Sequence, residues 1–129
     1  MSDGFHLFVY GTLRSGGSGA MPLLERCTWL RAATIDGTLY DIDGRFPALL
    51  LYGAARVQGE IWCCPKDLLR SLDEFEGVAV GLFRRIGVRA AGHACWTYVA
   101  GPALARELKP TRRIASGDWL DRGPEPVTR

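Results

Sequence analysis

The chain has 129 residues, a length typical of one domain, and its 47% hydrophobic and 23% charged residues are those of an ordinary globular protein. Its formal net charge of +2 is too small to indicate nucleic acid or an anionic membrane as a partner, so we expect neither. No apolar run approaches the roughly 18 residues of a transmembrane helix, and the N-terminus lacks a secretory pattern, which favours a cytoplasmic protein.

The chain begins with an apolar strand that runs into a glycine turn. Phe5–Tyr10 predicts a buried strand, and Gly11 follows it directly. A glycine here lets main-chain N–H groups turn outward, where they bind a carboxylate or an oxyanion. Residues 15–19, Ser-Gly-Gly-Ser-Gly, lack both the Gly-Lys-Ser/Thr ending of a phosphate-binding loop and G-x-G-x-x-G spacing, so they predict a flexible turn rather than a nucleotide site.

Strand-like runs dominate the rest of the chain, with one clear helix. The predicted elements are one or two helical turns at 20–26, strands at 28–39, 48–52 and 56–63, a helix at 65–76, and two strands at 82–88 and 94–99 joined by a hairpin turn at Ala91-Gly92. Because strands and helices do not alternate regularly, the fold class is α+β, with a mostly antiparallel, strongly curved sheet or barrel. We assign 1–121 to a single domain and 122–129, which contains Gly-Pro-Glu-Pro, to a disordered tail.

The predicted helix carries one carboxylate on its apolar side. Its apolar stripe consists of Leu68, Leu69, Leu72 and Phe75. Glu76 falls within this stripe on a helical wheel, whereas Asp73 falls on the solvated face. Burial and the position at the helix C-terminus both favour the protonated form of Glu76, as a general acid or base near neutral pH requires. The alternative is that Glu76 is frayed and solvated, since Gly77 is a helix stop.

Other reactive side chains show no catalytic or metal-binding spacing. No C-x-x-C pair occurs among the cysteines, which are Cys27, Cys63, Cys64 and Cys95. A zinc site is therefore not indicated, and buried reduced thiols are favoured over a disulfide. His6 and His93 lack metal-ligand spacing, and no Ser-His-Asp or G-x-S-x-G pattern is present. The strongest functional candidates are the turn at 10–13 and Glu76.

The turn and the end of the helix resemble parts of a known family. Tyr10-Gly11-Thr12-Leu13 resembles the Y-G-S/T-L signature of the γ-glutamylcyclotransferase-like superfamily, which includes AIG2-like and YtfP-like proteins. Further blocks that resemble the family follow in its order, at 37–40 (GTLY), 46–48 (FPA), 57–62 (VQGEIW), 72–77 (LDEFEG) and 114–119 (IASGDW). Each block is weak alone, but the ordered set spans 5–119 and is specific.

The resemblance implies a fold, a reaction and a catalytic residue. The fold is a small β-barrel flanked by helices, with a cavity capped by the Y-G-S/T-L loop. The reaction is the cyclisation of a small-molecule γ-glutamyl substrate to 5-oxoproline with release of an amine, and Glu76 is the catalytic acid/base. Main-chain donors at Tyr10, Gly11, Thr12 and Leu13 would bind the glutamyl group and stabilise the developing oxyanion. The scheme requires no metal or cofactor.

One departure from the family concerns the strand after the helix. Many members carry a tyrosine there in a Y-x-R arrangement, and the matching block is Phe83-Arg84-Arg85. Without the hydroxyl, one substrate hydrogen bond is lost, which bears on substrate preference. Arg14 and Arg85 are candidate partners for a substrate carboxylate through bidentate pairing, with a structural role as the alternative.

Two other functions remain open. A non-enzymatic small-molecule binding or regulatory module that retains the fold and pocket is supported by Phe83. A nucleotide- or nucleic-acid-binding barrel has only the glycine run and mild basicity in its favour. A monomer and a homodimer are alternatives, the latter through a strand edge in 82–99. Asp118 is expected as a cap or turn acceptor, and the expected core tryptophans are Trp62, Trp96 and Trp119.

Overall fold

The computed structural model describes residues 4–14 and 24–121. The predicted turn at 15–19, most of the predicted helical turns at 20–26 and the predicted tail at 122–129 lie outside these residues. The described part consists mostly of strands with a few short helices, in agreement with the predicted α+β class. None of the helices in this part has the length and apolar character needed to cross a membrane.

Seven strands form a five-stranded sheet and a separate hairpin. They are β1 (Phe5–Val9), β2 (Thr28–Asp36), β3 (Thr38–Ile42), β4 (Phe46–Leu50), β5 (Arg56–Cys64), β6 (Phe83–Ala90) and β7 (His93–Ala100). The order in the large sheet is β2-β5-β1-β7-β6, and β3 pairs with β4. The described strand pairs are antiparallel except for β1 and β7, which are parallel. The sheet is therefore mixed, with antiparallel pairs in the majority.

The sheet is not closed into a barrel, so that part of the expectation is wrong. β2 and β6 are the edge strands, and within the described residues they touch without forming a ladder. A register shift between Trp29 and Arg31 marks a bulge in β2, which bends that strand. A closed barrel requires continuous hydrogen bonding between the two edges. Side-chain contact alone cannot supply it.

The central strand, β1, is buried on both of its faces. Leu7 and Val9 pack into the core on one side of the sheet, and Phe8 packs into the core on the other, because side chains alternate along a strand. All three are at most 5% exposed. Since β1 pairs with β5 along its whole length and with β7 at Leu7, the turn that follows it starts from a strand held on both sides.

Helical segments occupy the connection between β5 and β6 and the chain after β7. They are α1 (Leu69–Phe75), α2 (Pro102–Ala105) and 3-10 turns at Lys66–Leu68, Val78–Val80, Pro110–Arg112 and Trp119–Asp121. Leu68 and Leu72 are buried as predicted, but Phe75, which was expected in the buried stripe, is 50% exposed. The chain leaves the helix because Gly77 adopts a left-handed φ of 66° and turns away.

The structure changes two of the predicted strand boundaries and confirms one predicted hairpin turn. The predicted run at 28–39 is divided at Gly37 into β2 and β3. A Cβ at Gly37 would lie 3.0 Å from Cδ1 of Leu49 and 3.1 Å from the Leu50 carbonyl oxygen, so a larger residue would crowd this junction. The strand predicted at 48–52 lies two residues earlier, at 46–50. The hairpin at Ala91-Gly92 is confirmed, with both residues at positive φ.

Candidate active site

A cavity of about 310 Å³ opens where five segments meet. These segments are the end of β1 with its following turn, the start of β4 with the turn before it, the end of α1, the start of β6, and β7 at Tyr98. The cavity brings together six of the predicted site residues, which are Tyr10, Gly11, Thr12, Leu13, Glu76 and Phe83. Its volume lies near the lower end of the ~300–1,000 Å³ typical of ligand pockets, which suits a small metabolite.

Glu76 is held at the end of α1 with its side chain at the cavity. Its N–H donates to the Leu72 carbonyl at 2.9 Å, which closes the last helical turn. The side chain is half-buried and lines the cavity, so the frayed, solvated alternative does not describe it. Within residues 4–14 and 24–121, no hydrogen bond or ion pair engages its carboxylate. Burial raises the pKa of Glu76 from 4.5 to about 7, the predicted direction.

The turn after β1 lies at the same cavity, which Gly11, Thr12 and Leu13 line. The Arg14 N–H donates to the Gly11 carbonyl at 3.0 Å, which closes a tight turn over 11–14. The N–H groups of Gly11, Thr12 and Leu13 donate to no other described residue. Unpaired main-chain donors that line a cavity are suited to bind a carboxylate or an oxyanion. An anion-binding role of this turn therefore stays a prediction, which its place at the cavity supports.

A glycine is required in this turn because β4 packs directly against it. A Cβ atom at Gly11 would lie 2.6 Å from Cγ and 2.8 Å from Cδ of Pro47. Pro47 is buried at the start of β4 and also lines the cavity. The proline ring thus fixes the distance between the turn and the β3–β4 hairpin.

Two tyrosines line the cavity, and both are tied to other groups. The Tyr10 hydroxyl donates to the main-chain carbonyl of Tyr98. Burial raises the pKa of Tyr10 well above its ordinary value, and the nearby Glu76 charge raises it further. The Tyr98 hydroxyl donates to Oδ1 of Asp73 at 2.6 Å. Burial and this bond also raise the pKa of Tyr98, so both phenols stay neutral beside Glu76.

The network around Asp73 was not foreseen from the sequence. Asp73 was expected as a surface charge, but it is half-buried and accepts hydrogen bonds from Tyr98 and from Arg85, whose Nε lies 2.9 Å from Oδ1. The Arg85 guanidinium also stacks over the Trp96 ring, 4.4 Å from its centroid. These contacts fix Tyr98 in the cavity wall. The one available signal was that Arg85 and Tyr98 face each other across the predicted hairpin.

Neither of the two predicted carboxylate-binding arginines reaches the cavity. Arg14 donates from Nη1 to Oδ1 of Asp118 at 2.7 Å, and its Nε lies 3.5 Å from Glu60. Arg85 is bound to Asp73 as described above. Because neither side chain lines the cavity, the structure supports the structural alternative for both. Asp118 is a turn acceptor as expected, since it also accepts from the Leu120 N–H at 3.1 Å.

The remaining candidate metal or redox residues form no site in the described chain. All four cysteines are free thiols. His6 and His93 pack edge to face, with ring centroids 4.9 Å apart. Among the described residues, no group of three His, Cys, Asp or Glu side chains is arranged to hold a metal ion. Trp119 is in the core as expected, whereas Trp62 and Trp96 are only partly buried.

The raised pKa of Glu76 predicts a pH dependence of stability. In the unfolded chain this carboxyl ionises near its ordinary pKa of 4.5, but in the folded protein it ionises near 7. Between these values only the unfolded state gains free energy by ionising, so the contribution of Glu76 is fully present below about pH 4.5 and is lost as the pH rises through about 7. We expect the free energy of unfolding of the wild type to fall over this range relative to that of Glu76→Gln.

Urea unfolding of the two proteins from about pH 4 to about pH 8 measures this difference. All other titrating groups are common to both proteins, so they cancel in the subtraction. A difference that stays constant with pH would show that the carboxyl is not shielded from solvent.

The fold recurs in solved structures. The chain is similar to protein YtfP from Escherichia coli, with a TM-score of 0.69 and 30% identity over 91% of this chain and 97% of that one. It also shares its fold with a protein from Pyrococcus horikoshii, with a TM-score of 0.73 and 23% identity over 89% of each chain. The chain therefore has the fold of a class of small α+β proteins that includes YtfP.

Sequence comparison extends this result to a family. The family described as "Gamma-glutamyl cyclotransferase, AIG2-like" matches residues 7–121. The gamma-L-glutamyl-butirosin B gamma-glutamyl cyclotransferase of Niallia circulans is 38% identical over 73% of this chain. The chain spans 65% of the length of that relative. The chain belongs to the AIG2-like gamma-glutamyl cyclotransferase family.

Proposed function

We propose that this protein is a γ-glutamylcyclotransferase-type enzyme that cyclises a γ-glutamyl amine or γ-glutamyl amino acid to 5-oxoproline and releases the amine. Glu76 is the general acid/base. The observation that carries the proposal is the presence, around one small cavity, of a carboxylate whose pKa is near 7 and of a turn at 11–13 whose N–H groups, like that carboxylate, have no hydrogen-bond partner among the described residues. A proton carrier and an oxyanion site are the two things that this reaction needs.

The reaction has one nucleophile, and the substrate supplies it. The α-amino nitrogen attacks the γ-carbonyl carbon of the same molecule, so ring closure is intramolecular. Glu76 accepts one proton from the α-ammonium group before attack and passes it to the departing amine nitrogen. The second proton, which the ring nitrogen loses after the attack, follows the same route, so the products are 5-oxoproline with one N–H and the amine as an ammonium ion. One C–N bond forms, one C–N bond breaks, and the carboxylate returns to its starting state. The N–H groups of Gly11, Thr12 and Leu13 stabilise the negative charge on the γ-oxygen.

The aromatic residue on β6 makes one wall of the cavity apolar. Phe83 is buried and its ring centroid lies 6.0 Å from that of Phe46, which also lines the cavity. The hydroxyl that many family members carry at this position is absent, and the Tyr98 hydroxyl is committed to Asp73. We therefore propose that the substrate is recognised by the turn at 11–13 and by residues at the open end of the cavity, and not by a side-chain hydroxyl at position 83.

The test is a panel of γ-glutamyl amines and γ-glutamyl amino acids, with 5-oxoproline measured by chromatography. We expect turnover of at least one member of the panel, with kcat/KM rising with pH through about 7 as Glu76 ionises. Absence of 5-oxoproline from every member, with the protein folded, would overturn the proposal.

A second function is favoured by Phe83. A binding or regulatory module that keeps the cavity would bind γ-glutamyl compounds without converting them. It predicts a ligand-dependent rise in melting temperature across the panel with no product. Measurements of product and of melting temperature on the same panel of compounds thus separate the two functions. Formation of 5-oxoproline excludes the binding module.

A further inference from the structure

We propose that Arg45 makes this protein selective for γ-glutamyl amino acids, by binding the carboxylate carried by the departing amine. This inference rests on the proposed function and names the leaving group that the cavity prefers. Arg45 lies in the turn of the β3–β4 hairpin and lines the cavity. Sequence reasoning did not single it out.

The described residues that line the cavity include one positively charged and one acidic side chain. Among the described residues that line it, Arg45 is the one cation and Glu76 the one carboxylic acid. The other arginines near the site, Arg14 and Arg85, are paired with Asp118 and Asp73. Arg45 has no carboxylate partner within the described chain. A guanidinium without a carboxylate partner in the described chain, at the edge of an apolar cavity, is suited to bind a carboxylate of the ligand.

The position of Arg45 indicates which carboxylate it meets. Tyr10, Gly11 and Leu13 are buried, and Glu76 is half-buried, so the glutamyl group and the bond that breaks lie towards the interior. Arg45 is exposed, as is Phe75, and these two residues mark the open end of the cavity. The amine departs towards solvent, so its substituents pass Arg45. A carboxylate on that amine is therefore the group that Arg45 binds.

The turn that carries Arg45 is rigid. Asp43 and Gly44 both have positive φ, at 54° and 71°, and the Arg45 N–H donates to the Ile42 carbonyl at 3.0 Å. These are the features of a type I′ turn over 42–45, and Arg45 is the additional residue before Phe46, which pairs with Ile42. Oδ1 of the buried Asp41 accepts from the Gly44 N–H at 2.6 Å, which braces the turn from inside.

Two further contacts limit the movement of this hairpin. Arg112 lies 3.2 Å from Oδ2 of Asp41, and the Arg45 guanidinium carbon lies 5.8 Å from the Phe46 ring centroid. Because these bonds hold the turn, less main-chain conformational entropy is lost when the guanidinium binds a ligand. A charge held in this way can discriminate between leaving groups.

The test compares two substrates that differ at one group, γ-glutamyl-alanine and γ-glutamyl-isopropylamide, in which a methyl replaces the carboxylate. We expect the wild type to prefer γ-glutamyl-alanine. Arg45→Gln should lower kcat/KM for this substrate about tenfold, mainly through KM, and should leave the isopropylamide within about twofold of the wild-type value. Arg89→Gln is the matched control. Arg89 is an exposed arginine beside the hairpin turn at Ala91-Gly92, where both residues also have positive φ, and it does not line the cavity.

Two outcomes would overturn the inference while the proposed function stands. Equal losses on both substrates would place Arg45 at the glutamyl end, and no loss on either would show that it binds no part of the substrate. If the wild type turns over neither compound, calorimetric binding of the same two compounds to both proteins decides the matter. A preference for the carboxylate that disappears in Arg45→Gln supports the inference even though the proposed reaction has failed, and equal binding overturns it.

Discussion

Replacement of Glu76 by Gln is expected to lower kcat for 5-oxoproline formation by about 10²–10⁴-fold, with little change in KM. Glutamine keeps the size of the side chain and its place at the end of α1. It cannot accept a proton from the α-ammonium group or donate one to the departing amine. Since no other carboxylic acid among the described residues lines the cavity, no neighbour can take over this role.

The matched control is Glu74→Gln, two residues earlier. Glu74 is exposed and does not line the cavity, so this variant should retain wild-type kcat. Melting temperatures of both variants show whether the fold is intact. If Glu76→Gln formed 5-oxoproline at the wild-type rate, Glu76 would not be the proton carrier, and the proposed mechanism would be wrong even if the reaction itself were observed.

Gly11→Ala is expected to lower kcat/KM by about 10²-fold, because a displacement of about 1 Å at a reacting centre costs about this much. The new methyl would lie 2.6 Å from Cγ of the buried Pro47, so the turn or β4 must move. A movement of the turn changes the distance between the N–H groups at 11–13 and Glu76, and a movement of β4 changes the cavity wall that Phe46 and Pro47 form. Gly11 does not have a positive φ, so the effect is steric and does not come from backbone strain.

A second substitution tests this cause directly. Pro47→Ala removes the Cγ and Cδ atoms that the new methyl would meet, so the double variant should recover much of the activity that Gly11→Ala loses. Gly87→Ala is the control, because a Cβ at Gly87 meets nothing closer than 3.9 Å. Wild-type activity in Gly11→Ala, or no recovery in the double variant, would show that the turn is not positioned by Pro47.

The part of the candidate site that could be predicted depends on local spacing. The helical period of 3.6 residues placed Glu76 on the buried side of the helix, and the structure has its side chain half-buried at the cavity. A glycine directly after an apolar strand predicted the donor turn at 11–13, whose N–H groups are unpaired within the described chain. Both inferences needed only neighbouring residues.

The part that could not be predicted depends on partners far away in the chain. Arg14 pairs with Asp118, which is 104 residues away, and this distance hid the structural role of Arg14. Asp73 looked like a surface charge until β6 and β7 brought Arg85 and Tyr98 to it. A long charged side chain can pair with any carboxylate within reach, and local pattern does not indicate which one the fold supplies.

The sequence alone determined the class of fold, the helix that ends at Glu76, the glycine turn and the hairpin at Ala91-Gly92, because each depends on backbone preferences and periodicity within a few residues. Only the tertiary structure decided that the sheet stays open, that β1 and β7 are parallel, and that Arg45 rather than Arg14 or Arg85 lines the cavity. These features depend on how segments far apart in the chain pair and pack. The free energy of each such contact depends on the neighbours that the folded core provides, which a local sequence pattern does not show.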